Sequence, residues 1–239
     1  MLHHVVDLLA PVRCLACRRR GAPVDGVWCD GCADAITAAP DPACHRCAGP
    51  RTVGHGCWPP GVPIETTVAV ADYRGPVAAA VVAAKVGGAV AAWPALADRL
   101  AARVADGPPD VDVVTWVATA PQRARRRGVD HAEVLAAAVA FATGAPCLSL
   151  LRVTRGRDGE GQRARRTLPA TSVLLVDDVL TTGRTAVGAA AALRAAGAGA
   201  VHLAVLARAG DHPLVAGDAD RATRGPSPIV TPGRPTGER

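Results

Sequence analysis

From residue 64 onward the chain alternates short apolar runs with longer Ala-rich or amphipathic ones. Thr67 to Tyr73 reads as a strand, and Pro76 to Val86 as a helix with proline in its first turn. Pro94 to Ala105 is a second helix, stopped by Gly107-Pro108-Pro109. Val111 to Ala118 is an apolar strand. Asp130 is placed to cap a helix from His131 to Thr143 that ends at Gly144. Cys147 to Leu151 is a short strand, Ser172 to Val176 a continuous apolar one, and Val201 to Ala207 the last. Between the final two, Ala186 to Ala196 is a helix closed by Gly197. Strands apolar on both faces and alternating with helices predict an α/β fold with a parallel sheet flanked by helices.

The flanks read differently. Pro59-Pro60-Gly61-Val62-Pro63 is a linker, and residues 1–63 before it are a Cys-rich segment with little apolar surface. From about Gly210, Pro, Gly, Arg and Thr dominate, which predicts a disordered tail. The expected division is therefore 1–63, 64–209 and 210–239.

Composition narrows the picture. Aromatics are only 3% of 239 residues, so Ala, Val and Leu must build the core, and a base-stacking nucleic-acid platform lacks its rings. The longest uncharged stretch, Val134 to Leu151, is broken by Gly144 and Pro146, so no run suits a bilayer span. The start, Met1-Leu2-His3-His4-Val5, has no basic region before an apolar core, and a cytoplasmic chain without membrane insertion is expected. The formal net charge is +6. Arg123 to Arg166 holds ten Arg against Asp130, Glu133, Asp158 and Glu160, a surplus equal to the whole excess. Such a stretch is either a solvated face or a site for phosphate, pyrophosphate or a nucleic-acid backbone. Lys85 is the only lysine among 27 basic residues.

Seven of the eight cysteines fall between residues 14 and 57. Cys14-x-x-Cys17, Cys29-x-x-Cys32 and Cys44-x-x-Cys47 recur every 15 residues, followed by His55 and Cys57. A CxxC turn aims two thiolates at one metal, and two such turns complete a tetrahedral zinc site. In a reducing compartment zinc explains the pattern better than disulfides. The simplest pairing places Cys14, Cys17, Cys29 and Cys32 on one ion and Cys44, Cys47, Cys57 and His55 on a second. His45 competes with His55, and spacing alone also allows a cross-braced pairing. Four protein ligands leave no open position, so the zinc is structural, and each ion supplies folding energy to its own small unit. Cys147 stands apart in an apolar run and reads as core.

The most specific string is Val173-Leu174-Leu175-Val176-Asp177-Asp178-Val179-Leu180-Thr181-Thr182-Gly183-Arg184-Thr185. A buried strand delivers two adjacent carboxylates, then hydroxyls around one glycine, then a helix start. Burying two acids is costly unless donors or a metal meet them. The loop Thr181 to Thr185 converges N–H groups, hydroxyls and a helix N-terminus on one point, which suits a phosphate. The acids then lie about one sugar away, within reach of ribose hydroxyls, at the carboxyl edge where open α/β sheets bind ligands.

This string resembles the phosphoribosyl diphosphate (PRPP) signature of the type I phosphoribosyltransferases. Together with the Cys turns it resembles the ComF/GntX family, over roughly residues 14–208. The resemblance implies that Asp177 and Asp178 hold the ribose hydroxyls of PRPP and that Thr181, Thr182, Gly183, Arg184 and Thr185 form the 5′-phosphate loop. It matches Lys85-Val86-Gly87-Gly88 to the family's Lys followed by Gly. The loop after the first core strand, here Ala118-Thr119-Ala120-Pro121, has lost the first proline of the family's Pro-Val-Pro, and Thr119 and Ala120 fall where that loop faces pyrophosphate. Arg127-Gly128-Val129-Asp130-His131 stands where the family has Arg-Gly-Phe-Asn-Gln. The polar run Arg152 to Pro169, without periodicity, is expected as the loop that folds over pyrophosphate, with Gln162 and Arg165 or Arg166 matching family positions.

Two functions follow. In one, PRPP and Mg²⁺ bind at Asp177 to Thr185 and an acceptor displaces pyrophosphate, whose charge Arg127, Lys85 and loop arginines stabilise. In the other, the protein is a non-catalytic competence factor that binds PRPP and handles single-stranded DNA during uptake.

Overall fold

The computed structural model describes residues 13–20, 26–86, 88–105, 110–120, 122, 125, 130–156, 159–210 and 214. Its elements run α1 (Asp30–Asp34), β1 (Thr66–Asp72), α2 (Gly75–Lys85), a short 3-10 turn (Val90–Ala92), α3 (Trp93–Ala105), β2 (Val113–Trp116), α4 (His131–Thr143), β3 (Leu151–Gly156), β4 (Gly159–Ala164), β5 (Ser172–Leu180), α5 (Arg184–Ala195) and β6 (Ala200–Arg208). Four strands form a parallel sheet in the order β1-β6-β5-β2.

The apolar runs explain this sheet. Val173 to Val176 are all buried, as is every residue of β6 after its first, so both faces of the central strands are covered. One core packs α2, α3 and α4 on one face through Val77, Val81, Leu96, Leu100, Leu135 and Val139. The other packs α5 through Val187, Ala190 and Leu193. Helix ends follow local chemistry: Pro76 occupies the first turn of α2, and Gly144 closes α4 in the left-handed region at φ 71°.

Three expectations are corrected. Arg152 to Pro169 is not a structureless loop: β3 and β4 pair antiparallel from Leu151↔Ala164 to Gly156↔Gly159. The strand expected at Cys147 to Leu151 reduces to one bridge, Val114↔Cys147, because the Leu150 N–H donates to the Thr115 hydroxyl (3.2 Å) rather than to a ladder carbonyl. Asp130 precedes α4 in extended conformation but does not cap it with its side chain; its carboxylate instead accepts the Thr119 hydroxyl at 3.3 Å.

The Cys-rich segment packs on both cores. Cys14, Val27 and Trp28 join the α2–α4 core, and Cys47, Ala48 and Trp58 join the α5 core. The Trp28 indole donates to the Pro76 carbonyl at 2.9 Å, and the Arg99 guanidinium lies 4.8 Å over its ring. Leu214 is also buried in the α5 core. The tail expected from Gly210 otherwise lies outside the described residues. Among the described residues no helix is long and apolar enough to cross a membrane.

Candidate functional site: an acid pair with a glycine turn, and two cysteine clusters

β5 is longer than its apolar run, and the extension carries the acids. β2 accompanies β5 only as far as Trp116↔Val176, whereas β6 continues through Asp177↔Val205 to Leu180↔Arg208. Asp177 and Asp178 therefore sit inside the strand, just past the point where β2 stops. The Asp178 N–H donates to the Asp177 carboxylate at 2.9 Å. Lys85, at the last turn of α2, brings its Nζ to 2.6 Å from Asp178 Oδ2, with both side chains largely covered. The chain's single lysine thus meets the acid pair, where a compact ammonium fits one carboxylate oxygen. Burial first, and then the charge of Asp178, push the Asp177 carboxyl up to about 8, against the opposing pull of the Asp178 N–H and of Lys85.

Past Leu180 the chain turns through Thr181 and Thr182, both exposed, to Gly183 and then α5. Gly183 has φ 82° at the helix start, a left-handed conformation that glycine adopts without strain. A Cβ built there would run into the six-membered ring of Trp58, so the glycine answers to space as well as to angle. Arg184 and Thr185 are exposed in the first turn of α5. The first-turn amides of a helix this long, beside three exposed threonines, form a polar cradle suited to a phosphate group.

The loop after β2 flanks the acids. Thr119 is half-buried and tied to Asp130, while Ala120 is buried and leaves only its backbone for a ligand. Arg127 lies outside the described residues. The β3–β4 hairpin is clasped to this loop: Gln162 Nε2 donates to the Ala118 carbonyl at 3.0 Å, and Arg155 donates to Gln122 Oε1 at 2.8 Å. Arg165 and Arg166 are not part of this cluster. With Arg163 they line an open groove of about 540 Å³ against Ala192, Ala195 and Ala196, at the far end of α5, a groove whose other end reaches Gln162. At ~1.5 Å per residue that end is about 16 Å along the helix from Thr185.

The cysteines assemble in sequence order. Cys14, Cys17, Cys29 and Cys32 form one group and Cys44, Cys47, His55 and Cys57 another, with ligand atoms within 4.8 Å of one another in each. All eight cysteines are free thiols. Sγ separations of 3.6 Å (Cys17–Cys29) and 3.9 Å (Cys44–Cys57) match the about 3.8 Å edge of a tetrahedron with ~2.3 Å zinc–sulfur bonds. The first and third turns share one geometry: the Cys14 and Cys44 carbonyls accept from residues 18 and 48, and both Arg18 (φ 63°) and Ala48 (φ 54°) are left-handed. His55, not His45, completes the second group. Its Nδ1 faces the Thr52 carbonyl at 2.9 Å, which leaves Nε2 as a buried atom without a hydrogen-bond partner, aimed as a zinc ligand requires. Cys147 is half-buried against the α2–α4 core, apart from either group.

Trp58, Gln162 as a backbone clasp, and the Arg155–Gln122 link were not foreseen as parts of this site. The tryptophan directly after Cys57 was the available signal for the first.

No curated protein matches the chain. Among solved structures, similarity is found to glutamine PRPP amidotransferase from B. subtilis complexed with ADP and GMP (27% identity, 48% of this chain, 26% of that one, TM-score 0.37). A purine phosphoribosyltransferase from Pyrococcus horikoshii is 22% identical over 54% of this chain and 81% of that one, with a TM-score of 0.32. A phosphoribosylpyrophosphate synthetase from Mycobacterium smegmatis is 22% identical over 49% and 33%, with a TM-score of 0.31. The chain spans about a quarter of the length of the amidotransferase. Residues 5–59 match the double zinc ribbon domain, which agrees with the two cysteine groups as structural zinc sites. Residues 79–216 match the phosphoribosyl transferase domain, and with more than half of its length so covered the chain belongs to that family, carrying the domain behind a double zinc ribbon.

Proposed function

We propose that the protein binds PRPP with Mg²⁺ at Asp177 to Thr185 and transfers its phosphoribosyl group to an acceptor, as a ComF/GntX-type member of the family. The observation that carries this reading is the Lys85–Asp178 pair at 2.6 Å, set on the strand that leads into the Gly183 turn. Asp177 and Asp178 hold the ribose hydroxyls, and residues 181–185 hold the 5′-phosphate through backbone N–H groups and hydroxyls. Bound with the diphosphate, Mg²⁺ would neutralise its charge, and the carboxylates of Asp177 and Asp178 would be available to it as oxygen ligands suited to a hard cation. In the transfer the acceptor's lone pair forms a bond to the ribose carbon, the carbon–oxygen bond to the diphosphate breaks, and pyrophosphate leaves with that electron pair. The acceptor's proton passes to solvent. The chain's part is positioning and charge: Lys85 offsets the acids, Arg127 meets the leaving group, and the hairpin clasped at Ala118 lies over the loop on which pyrophosphate departs.

Isothermal titration with PRPP and Mg²⁺ tests this directly. Measured above pH 8, where the Asp177 carboxyl is ionised, Asp177→Asn and Asp178→Asn should each weaken binding by about one to two decades, the worth of one charged hydrogen bond of roughly 1.5–3 kcal/mol. Unchanged affinity in both variants overturns the assignment. Pyrophosphate release across a panel of nucleobases and amines then identifies the acceptor.

One observation favours a second reading. A groove lined by Arg163, Arg165 and Arg166 runs against the C-terminal end of α5, where the guanidiniums of Arg163 and Arg166 can meet another polyanion while Arg165 Nε is held by the Leu151 carbonyl at 2.8 Å. A competence protein that handles single-stranded DNA would use such a groove through phosphate contacts alone, since no aromatic side chain lines it.

A further inference from the structure

We infer that the second zinc cluster sets the conformation of the loop at residues 181–185, with Trp58 as the positioning residue between them. Trp58 directly follows Cys57, a member of the cluster, and is buried at 4% exposure. Its ring fills the space where Gly183 would carry a side chain. A side chain so close to the left-handed turn limits how that turn can move, and the turn aims the first amides of α5.

The indole is itself fixed from the cluster's other half. Trp58 Nε1 donates to the Thr67 hydroxyl at 3.1 Å, which donates to the Arg46 carbonyl at 2.6 Å. Arg46 lies inside the Cys44–Cys47 turn, and the Thr67 N–H donates to the neighbouring His45 carbonyl at 2.8 Å. A third tie comes from β6, where Arg208 donates to the Gly56 carbonyl at 3.0 Å while its own backbone pairs with Leu180, the residue that opens the loop. Both arms of the cluster therefore converge on Trp58, and Gly56, two residues before it, is anchored to β6, the strand that pairs with the loop's entry at Leu180. Zinc closes the two arms on each other. Without it Cys44–Cys47 and His55–Cys57 are no longer joined, the indole loses its fixed seat, and the glycine turn loses its backing.

This inference deepens the proposed function and rests on it where ligand is concerned, but the coupling can be read without ligand. The experiment uses the full zinc-loaded chain. Amide hydrogen exchange over residues 181–185 is measured for wild type, Trp58→Leu, Trp58→Phe, Cys57→Ser and, as a matched loss of a buried indole at the other ribbon, Trp28→Phe. Zinc content and thermal melting are recorded for each. Trp58→Leu should keep two zinc ions per chain and remain folded, yet raise loop exchange about tenfold or more. Cys57→Ser should lose one zinc and raise it similarly. Trp58→Phe should fall between, and Trp28→Phe should leave the loop unchanged. Affinity for PRPP with Mg²⁺ should fall in parallel by roughly ten- to a hundredfold, as expected when binding groups are misplaced by an ångström or less. Unchanged loop exchange in both Trp58 variants overturns the inference. So does an equal rise in Trp28→Phe, which would mark general loosening. If wild type binds no PRPP while the exchange pattern appears as described, the proposed ligand fails and the zinc-to-loop coupling stands.

Discussion

The side-chain amide of Gln162 pairs with the backbone of Ala118 in both directions, donating to its carbonyl at 3.0 Å and accepting from its N–H at 3.3 Å. A glutamine amide carries one acceptor and two donors in a plane, so it serves an exposed strand edge as another strand would. Ala118 follows β2, and Gln162 sits near the middle of β4. The clasp therefore joins the loop after β2 to the β3–β4 hairpin, which is not part of the main sheet.

Gln162→Ala removes both bonds and leaves the Ala118 amide and carbonyl without that partner. Stability should fall by roughly 1–3 kcal/mol, with β3–β4 amides exchanging faster than those of β5 and β6. Denaturant titration and hydrogen exchange check this. Hairpin protection equal to wild type would show that the Arg155–Gln122 link suffices alone.

Asp177 gives the ligand-free protein a pH dependence of definite sign. Its carboxyl rises from an ordinary 3.8 to about 8 on folding. The folded state then holds a proton that the unfolded chain has released, so this group's contribution is fully present below about pH 4 and is lost as pH rises towards 8. Asp178, Lys85 and Asp130 are the charged groups acting on it. Wild type should lose stability from pH 5 to pH 8, and Asp177→Asn should flatten that slope and be the more stable protein at pH 8. Melting curves across that range decide it; parallel slopes in the two proteins would place the burden elsewhere.

Zinc removal should destabilise more than the ribbons. Cys14 is 1% exposed and Cys47 is fully buried, each within a core that also contains sheet residues. Unfolding the ribbons therefore strips both faces of the α/β domain of part of their cover. The sequence suggested small units that fold separately; the shared cores predict one cooperative transition instead. Chelation should lower a single melting transition by about 10 °C or more, since a few kcal/mol in a domain of this size shifts melting by about that much. An unchanged sheet transition after full zinc loss would restore the separate-unit view.

The Arg163–Arg165–Arg166 groove separates the two functional readings through salt. If single-stranded DNA occupies it, the log–log slope of affinity against salt should be about −0.7 per phosphate contact, and Arg163→Ala with Arg166→Ala should reduce that slope while PRPP affinity holds. Anisotropy titrations at two ionic strengths measure this. Loss of PRPP affinity in the same variant would instead return these arginines to the diphosphate.

The parts of the molecule that follow local rules were legible in the chain. Val173 to Val176 could only be an interior strand, Gly183 could only serve a turn before a helix, and paired CxxC motifs define their own metal geometry. The hairpin was hidden because Arg152 to Ala164 buries little, so no alternation marks its strands; Gly156 and Gly159, facing each other across the ladder, were its faint signature. Trp58 was hidden for the opposite reason. It reads as an ordinary apolar residue just before a linker, and its meaning depends on Gly183, 125 residues away along the chain. The choice of His55 over His45 also needed three dimensions, since His45 turns outward while its backbone serves Thr67.

The unequal lengths of β2 and β6 have a geometric consequence. Over residues 177–180 the central strand has a paired neighbour on one side only, among the described residues, a stretch of about 13 Å at ~3.3 Å per residue. A ligand lying along it would meet strand backbone as well as the two carboxylates. The length of that stretch is a fixed number of peptide units, whose spacing no side-chain exchange can alter. Substitutions around it can retune charge, but lengthening or shortening the stretch would require β2 itself to end one residue earlier or later.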